Sequence, residues 1–327
     1  MSSPSLTDIR EWMVRYIMST FLAFGVFGNL INVYMFTRKD SLRNSCSLYL
    51  LAASVINIIS IIWGICPSLY TLNNIDPATY SFIYCKLRLY TIHTLLMIGR
   101  SLMVFACFDR YALCSRSIRL RSFCVPKLAI RLIIAHIFIW PLLTLHIVFL
   151  QNFIQNRCYM PGLNDVIYAF YSVIVAGILP PLLMSIFSLL TMRYRLELLV
   201  RLNAVGVNTK RDNAFMTMLV SQVIIYVITT GLYPTMTLYR AVTDGQPKSS
   251  ERQQIETFLT FIGGSLLIYL NPTSAFYIYF TVAKSFRKDC KFAFVRYYRR
   301  LVGQRVSPES KVVQAHTVLH VIHDTHV

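Results

Sequence analysis

Long apolar runs separated by short polar stretches recur seven times along the chain, at Tyr16–Phe36, Ser47–Leu72, Leu89–Tyr111, Leu128–Leu150, Val166–Met192, Ala214–Tyr239 and Phe258–Phe280. A helix rising 1.5 Å per residue needs about 20 residues to cross roughly 30 Å of hydrocarbon, and every run is long enough. The pattern predicts an all-α membrane protein, a seven-transmembrane helix bundle. Pro67, Pro141, Pro180, Pro181, Pro234 and Pro272 fall inside the runs. Such breaks are tolerated where neighbouring helices satisfy the freed carbonyls, so a packed, kinked bundle is expected. After the seventh run, Phe286, Cys290, Ala293, Phe294 and Tyr297 recur at helical spacing among Lys284, Arg287, Lys288, Lys291, Arg296 and Arg299. That predicts a short amphipathic helix lying on anionic lipid. The chain then divides into a short outside segment (1–15), the bundle (16–280), an amphipathic cytoplasmic helix (281–300) and a cytoplasmic tail (301–327).

Composition agrees: of 327 residues, 55% are hydrophobic and 14% charged, where soluble domains carry about a quarter charged. The first run begins too late and is too long for a secretory h-region, so it reads as a retained helix. Charge then orients the bundle. With the N-terminus outside, 23 of the 32 Lys and Arg lie on the cytoplasmic side, 8 lie outside and Arg100 lies within the membrane, the positive-inside pattern. The net charge of +18 therefore faces inner-leaflet lipid and acidic cytosolic partners, which disfavours nucleic acid as the partner. Of eight cysteines, only Cys85 and Cys158 fall outside, so the chain is no disulfide scaffold.

Asp109-Arg110-Tyr111 stands at the cytoplasmic end of the third run, and Cys85 stands 25 residues before Arg110 at the outer end of the same run. With Gly28-Asn29 in the first run, Leu51-Ala52 in the second, Trp140 in the fourth, Pro234 in the sixth and Asn271-Pro272 in the seventh, this ordered set resembles the rhodopsin-like G-protein-coupled receptors. The resemblance covers the chain from the first run to about Arg300. It implies a multi-pass receptor of the plasma membrane that binds an extracellular ligand and activates heterotrimeric G proteins, with arrestin a further partner. It implies a disulfide between Cys85 and Cys158, with two free thiols the alternative. It also implies a switch at Asp109, Arg110 and Tyr111, with a solvated loop charge the alternative, and helix movement at Pro234 and at Asn271-Pro272.

The chain departs from the family at several positions. Val55 stands where the second run usually carries a sodium-binding acid, Leu232 and Tyr233 stand near the usual aromatic before Pro234, and Ala275 replaces the seventh-run tyrosine, the nearest being Tyr277. Arg100, about 15 Å along the helix from Arg110, sits near mid-membrane with no deep Asp or Glu beside it. Two readings stand: it replaces the missing cation in a polar network with Asn29, Asn57 and Asn271, drawing also on carbonyls freed at Pro180 or Pro181, or it snorkels along the helix surface.

Absences narrow the ligand. The seventh run holds no lysine for a retinal Schiff base, and the outer half of the third holds no acid for an amine, since Ile92 and His93 occupy the pocket-facing turn. A peptide, or else a weakly polar small molecule, is the expected ligand, contacting Ile92, His93, Tyr233, Thr237 and Tyr269, with Asp165 and Glu256 at the rim as partners for a basic ligand or as solvated charges. The texture is similar to invertebrate neuropeptide receptors of the FMRFamide type. Cys290 is a candidate lipidation site or a free thiol. Thr325 and Val327 match a PDZ-domain ligand, and the four histidines from His316 to His326 read as tail rather than as a metal site. Neither a cofactor nor a metal is implied. A chemosensory receptor, channel or transporter not coupled to G proteins is the alternative, although there is no repeat and Arg100 is the one deep charge. No acid lies deep in the runs for an intramembrane enzyme.

Overall fold

The structure, a computed structural model, describes residues 5–203 and 210–301, with side chains for 5–194 and 215–295. Long helices lie where the apolar runs do: α1 (Leu6–Phe36), α2 (Ser45–Tyr70), α3 (Phe82–Cys114), α4 (Pro126–Leu150), α5 (Leu163–Tyr194), α6 (Phe215–Val242) and α7 (Ser250–Val282). The first six are each long and apolar enough to cross a membrane, and a further span is counted if α7 is taken with the helix that follows it at a bend of 98°. That last helix is α8 (Lys284–Leu301). Between α4 and α5 stands a two-stranded antiparallel hairpin, β1 (Asn152–Ile154) and β2 (Arg157–Tyr159). Apolar side chains face outward on these helices: Phe138 is 67% exposed, Leu142 73% and Ile228 74%, a surface that fits lipid rather than water. The chain is a multi-pass helical membrane protein.

The helices start where capping chemistry allows. Ser5 Oγ accepts the Asp8 N–H while the Asp8 carboxylate accepts the Ser5 N–H, a capping box that starts α1 at Leu6. The segment 1–15, expected to precede the bundle as a short outside stretch, is therefore helical from Leu6 and continuous with the span. Its charges Asp8, Arg10 and Glu11 hid it from a search for apolar runs. Asn44, Ser81 and Ser249 cap α2, α3 and α7 by accepting one first-turn N–H each, without the return bond.

Prolines shape the interior. Pro180 has no N–H for the Ala176 carbonyl, and the backbone before it, Ser172–Ile178, opens into a π-turn. A second π-turn, Ile262–Leu267, precedes Pro272, and α6 is interrupted at Gly231, three residues before Pro234. The turns before Pro180 and Pro234 are the widened or broken turns that a missing hydrogen bond produces; a further π-turn, Met13–Met18, lies in α1, which contains no proline.

The 33-residue α3 is central, packing against α2, α4, α5 and α6, while α7 closes the ring against α1, α2 and α6. One apolar cluster fills the Arg110 half, with Leu102, Leu219, Met218 and Tyr279 in it. A smaller one, around Met18, Ile61, Ile65 and Tyr269, fills the Cys85 half between α1, α2 and α7. On α8, Phe286 packs against Phe36 and Tyr279 and Ala293 is buried, but Phe294 is 72% exposed. Arg287 donates to the carbonyls of Phe280 and Thr281 and so caps the end of α7. The tail 302–327, with Thr325 and Val327, lies outside the described residues.

Close approach of α6 to α7 depends on Gly263, where a Cβ would meet the Tyr233 backbone nitrogen at 2.9 Å and the Leu232 carbonyl carbon at 3.2 Å. Gly263→Ala is therefore expected to destabilise the bundle by about 1–3 kcal/mol. Gly231→Ala, where nothing lies within 4 Å of the added Cβ, leaves stability unchanged or raised by under about 1 kcal/mol. Thermal unfolding of the two purified variants checks the contrast.

Candidate functional site

Three polar layers are stacked along α3. At its C-terminal end Asp109 and Arg110 are 3% and 2% exposed. Arg110 Nη2 lies 2.5 Å and Nε 3.1 Å from Asp109 Oδ2. Asp109 Oδ1 accepts a hydrogen bond from Ser45 Oγ, Arg110 Nη2 donates to Asn44 Oδ1 at 3.1 Å, and the guanidinium lies 5.6 Å from the centre of the Phe215 ring. Ser45 opens α2 and Asn44 caps it, so the ion pair fastens α3 to the first turn of α2 and meets α6 at Phe215. Tyr111 turns the other way, stacking on Phe187 at 5.9 Å and meeting Tyr194, both of α5. Beside this clasp the Cys124 thiol donates to the Asp109 carbonyl at 3.3 Å. Burial first, and then the Asp109 carboxylate, push that thiol up to about 12.

In the middle layer Asn29 Nδ2 donates to the carbonyls of Gly25 at 2.7 Å and Pro272 at 2.9 Å, and its Oδ1 accepts Asn57 Nδ2 at 3.3 Å, tying α1, α2 and α7 together. Gln222 Nε2 donates to the Asn271 carbonyl at 3.3 Å and to Asn271 Oδ1, tying α6 to α7. Arg100 does not bond to these amides. Its Nη1 donates to the Ala176 carbonyl at 3.2 Å and contacts Met97 Sδ at 3.7 Å, its guanidinium lies 5.6 Å from the centre of the Tyr226 ring, and Tyr226 Oη donates to the same carbonyl. That carbonyl is the one Pro180 leaves without an N–H. The direct bonds of the expected set Asn29, Asn57, Arg100 and Asn271 resolve into two amide pairs and an arginine held by the freed α5 carbonyl, with Asn57, Arg100 and Asn271 lining one cavity between them. The snorkelling alternative fails for the same reason: the guanidinium is held inside, between α3, α5 and α6.

In the outer layer Cys85 and Cys158 form a disulfide, Cα–Cα 5.6 Å, which fixes β2 to the top of α3. Lys86 Nζ adds bonds to the carbonyls of Val148 and Gln151. The hairpin turns at Gln155 and Asn156, both at positive φ, the two-residue geometry that matches strand twist. Below it, His93 Nε2 meets Tyr171 Oη at 3.2 Å, Tyr168 Oη meets Tyr233 Oη at 3.1 Å, and His146 packs edge-on against Tyr171 at 4.4 Å. The expected contact residues therefore separate. His93 and Tyr233 share one aromatic patch through Tyr168 and Tyr171, whereas Tyr269 presses on α2 over Gly64 and Ile92 packs in the α1/α2/α7 cluster. Thr237 bonds to its own helix at Tyr233 O.

Glu256 does not stand free as a partner for a basic ligand. It is 8% exposed and accepts from Lys248 Nζ at 2.7 Å, Arg252 Nε at 2.9 Å and Tyr239 Oη at 3.1 Å. Asp165 is part-buried within the field of Arg240.

Two assignments shift register. Val55 is 41% exposed and faces outward, while Asn57, two residues on, meets Asn29, so the amide and not the valine holds the position opposite α1. Tyr277 donates to the Phe24 carbonyl on the outer side of α1, while Tyr279 is 3% exposed in the core. Gln222, Tyr168 and Tyr171 were missed altogether; their signal is a polar or aromatic residue repeating on the inward helical face. Among the described residues no group of three or more His, Cys, Asp or Glu is placed to hold a metal ion. No family model matches the chain, and no curated protein matches it.

The position of Cys124 is testable. Maleimide labelling there is expected to rise about tenfold per pH unit below its shifted pKa. Asp109→Asn, by removing the neighbouring negative charge, lowers that pKa and speeds labelling several-fold at pH 8, measured well below the unfolding midpoint. A rate indifferent to Asp109 would contradict the contact.

Proposed function

We propose that the chain is a receptor of the rhodopsin-like, G-protein-coupled kind, with the Cys85 end outside and the Arg110 end in the cytosol. The observation that carries this reading is the buried Asp109–Arg110 clasp joining α3 to α2 and α6 at one end of a helix whose other end is pinned by a disulfide to the hairpin. Removing one partner of a buried ion pair costs roughly 3–5 kcal/mol, so the clasp holds the cytoplasmic ends of α2, α3 and α6 together until a competing partner takes the guanidinium. Arginine suits the task because it stays charged and presents a planar fork of donors to carbonyls on an incoming protein. Gly231 and Pro234 give α6 a break about which its Phe215 end swings, a rigid-element movement of the type that transmits a small change at one site over a distance.

On the ligand side a peptide fits better than an amine. The outer half of α3 carries no acid, Glu256 is already satisfied by Lys248 and Arg252, and the aromatic patch of His93, Tyr168, Tyr171 and Tyr233 offers hydroxyl and ring contacts. Between the start of α1 and the start of α7 lies a groove of about 240 Å³ lined by Thr7, Arg10, Gln253 and Gln254 among others, side chains suited to peptide amides and to a carboxyl terminus. The ligand acts by binding the released state more tightly than the clasped one; a shift from 1:99 to 99:1 requires about 5.5 kcal/mol of that difference.

The test is nucleotide exchange on a panel of G-protein biosensors in cells expressing the chain and exposed to a neuropeptide library. A peptide that evokes exchange, with Arg110→Ala abolishing the response and Asp109→Asn raising the basal rate, is expected. Ligand-evoked current without exchange would place the chain among channels instead.

A further inference from the structure

A cavity of about 40 Å³ lies in the middle layer between α2, α3, α6 and α7, with Asn57, Gly99, Arg100, Gln222, Asn271 and Tyr279 among the residues lining it. Arg100 is the one charged residue of that lining, and no Asp or Glu belongs to it. The guanidinium cannot shed its charge. The contacts that hold it are neutral: a carbonyl, a thioether and a phenol ring. Neutral contacts solvate a cation but do not cancel it, and an uncancelled charge in a low-dielectric interior is costly. The next acid along α3, Asp109, lies nine residues on, about 13 Å along the axis, and is already held by Arg110 and Ser45.

The amides around the cavity are arranged with donors to spare. Asn271 has its carbonyl and its Oδ1 occupied by Gln222, which leaves its N–H groups to offer. Gln222 Oε1 is buried with no protein partner, an acceptor that suits a water molecule and not an anion. The volume is also selective. A water occupies roughly 10–15 Å³ on this measure, so the space admits one ion of halide size with a water or two, and is too small for an organic anion.

We propose that this cavity is a binding site for a monatomic anion, chloride being the physiological one, held by the Arg100 guanidinium and the Asn271 amide, with water bridging to Gln222 Oε1. Binding adds the missing negative charge at the junction of α3, α6 and α7, and so stabilises the bundle in proportion to anion concentration. The inference needs neither a ligand nor a G protein and stands apart from the receptor reading.

The experiment is thermal unfolding of the purified full chain in detergent, with chloride varied from about 1 to 300 mM against gluconate at constant ionic strength. The midpoint is expected to rise and saturate with chloride or bromide, with gluconate inert. Arg100→Gln is expected to remove the dependence. Should that variant fail to fold, Gly99→Ala decides: its Cβ would lie 3.7 Å from Asn57 Oδ1 and from Ile56 Cγ2, an ordinary contact that narrows the cavity without a clash, and it is expected to weaken halide affinity about tenfold or more. A wild-type midpoint indifferent to halide overturns the proposal. So does a halide dependence that persists unchanged in Arg100→Gln, or in Gly99→Ala where only that variant folds.

Discussion

Hydrocarbon offers no hydrogen-bond partner, so a charged or polar group inside the bundle is costly unless its own helix or a neighbouring one supplies a partner. This constraint organises α3, which carries two arginines. Arg110 is answered by a carboxylate on its own helix, which in turn is held by Ser45 of α2. Arg100 is answered by the one kind of group that a helix exposes at depth, a carbonyl whose usual N–H is missing because a proline stands four residues on. Satisfying each arginine therefore ties α3 to a different pair of neighbours: α2 and α6 at one level, α5 and α6 at another.

The same constraint bears on the irregular backbone of α5, α6 and α7. The π-turn before Pro180, the interruption at Gly231 and the π-turn before Pro272 each weaken a helix, yet each is adjacent to a polar contact between helices: Ala176 with Arg100 and Tyr226, Tyr233 with Tyr168, and the Pro272 carbonyl with Asn29. Breaks that supply acceptors and breaks that permit bending are the same breaks. A change in the aromatic patch around His93 and Tyr233 consequently bears on α6 directly above its interruption. The ion pair at the other end of α3 meets the same helix below it, at Phe215.

Much of this was legible in the residues. The apolar runs located all the long helices, but α1, α3 and α7 begin about two turns or more before their runs, at Leu6, Phe82 and Ser250, where charged and polar residues such as Asp8, Arg10, Lys86, Arg88, Glu251 and Arg252 made capped helical turns look like polar loop. The partners of a cysteine pair and of Asp109–Arg110 follow from types that have few alternatives in such surroundings. Helix phase was harder. Val55 and Tyr277 were chosen by counting from motifs, and both turn outward: ahead of Tyr277 stand a π-turn and Pro272, which advance the helix face, whereas Val55 lies in a regular helix and only packing shows which side it takes. Arg100 was visible as an anomaly, and the carbonyl freed by Pro180 was among its named candidates, but the asparagines were equally good on paper. Glu256 looked like a free rim charge since Lys248 and Arg252 reach it across a loop and one helical turn, contacts that spacing alone does not select.

Everything in the account depends on α3 crossing the bilayer with its two ends in different aqueous compartments. Single cysteines placed at Ile75, 75% exposed before the Cys85 end, and at Ile118, 77% exposed beyond the Arg110 end, report this directly through a membrane-impermeant maleimide. In intact cells the first is expected to label and the second only after permeabilisation. Labelling of both from the same side would contradict the fold's placement in the membrane and the receptor reading together.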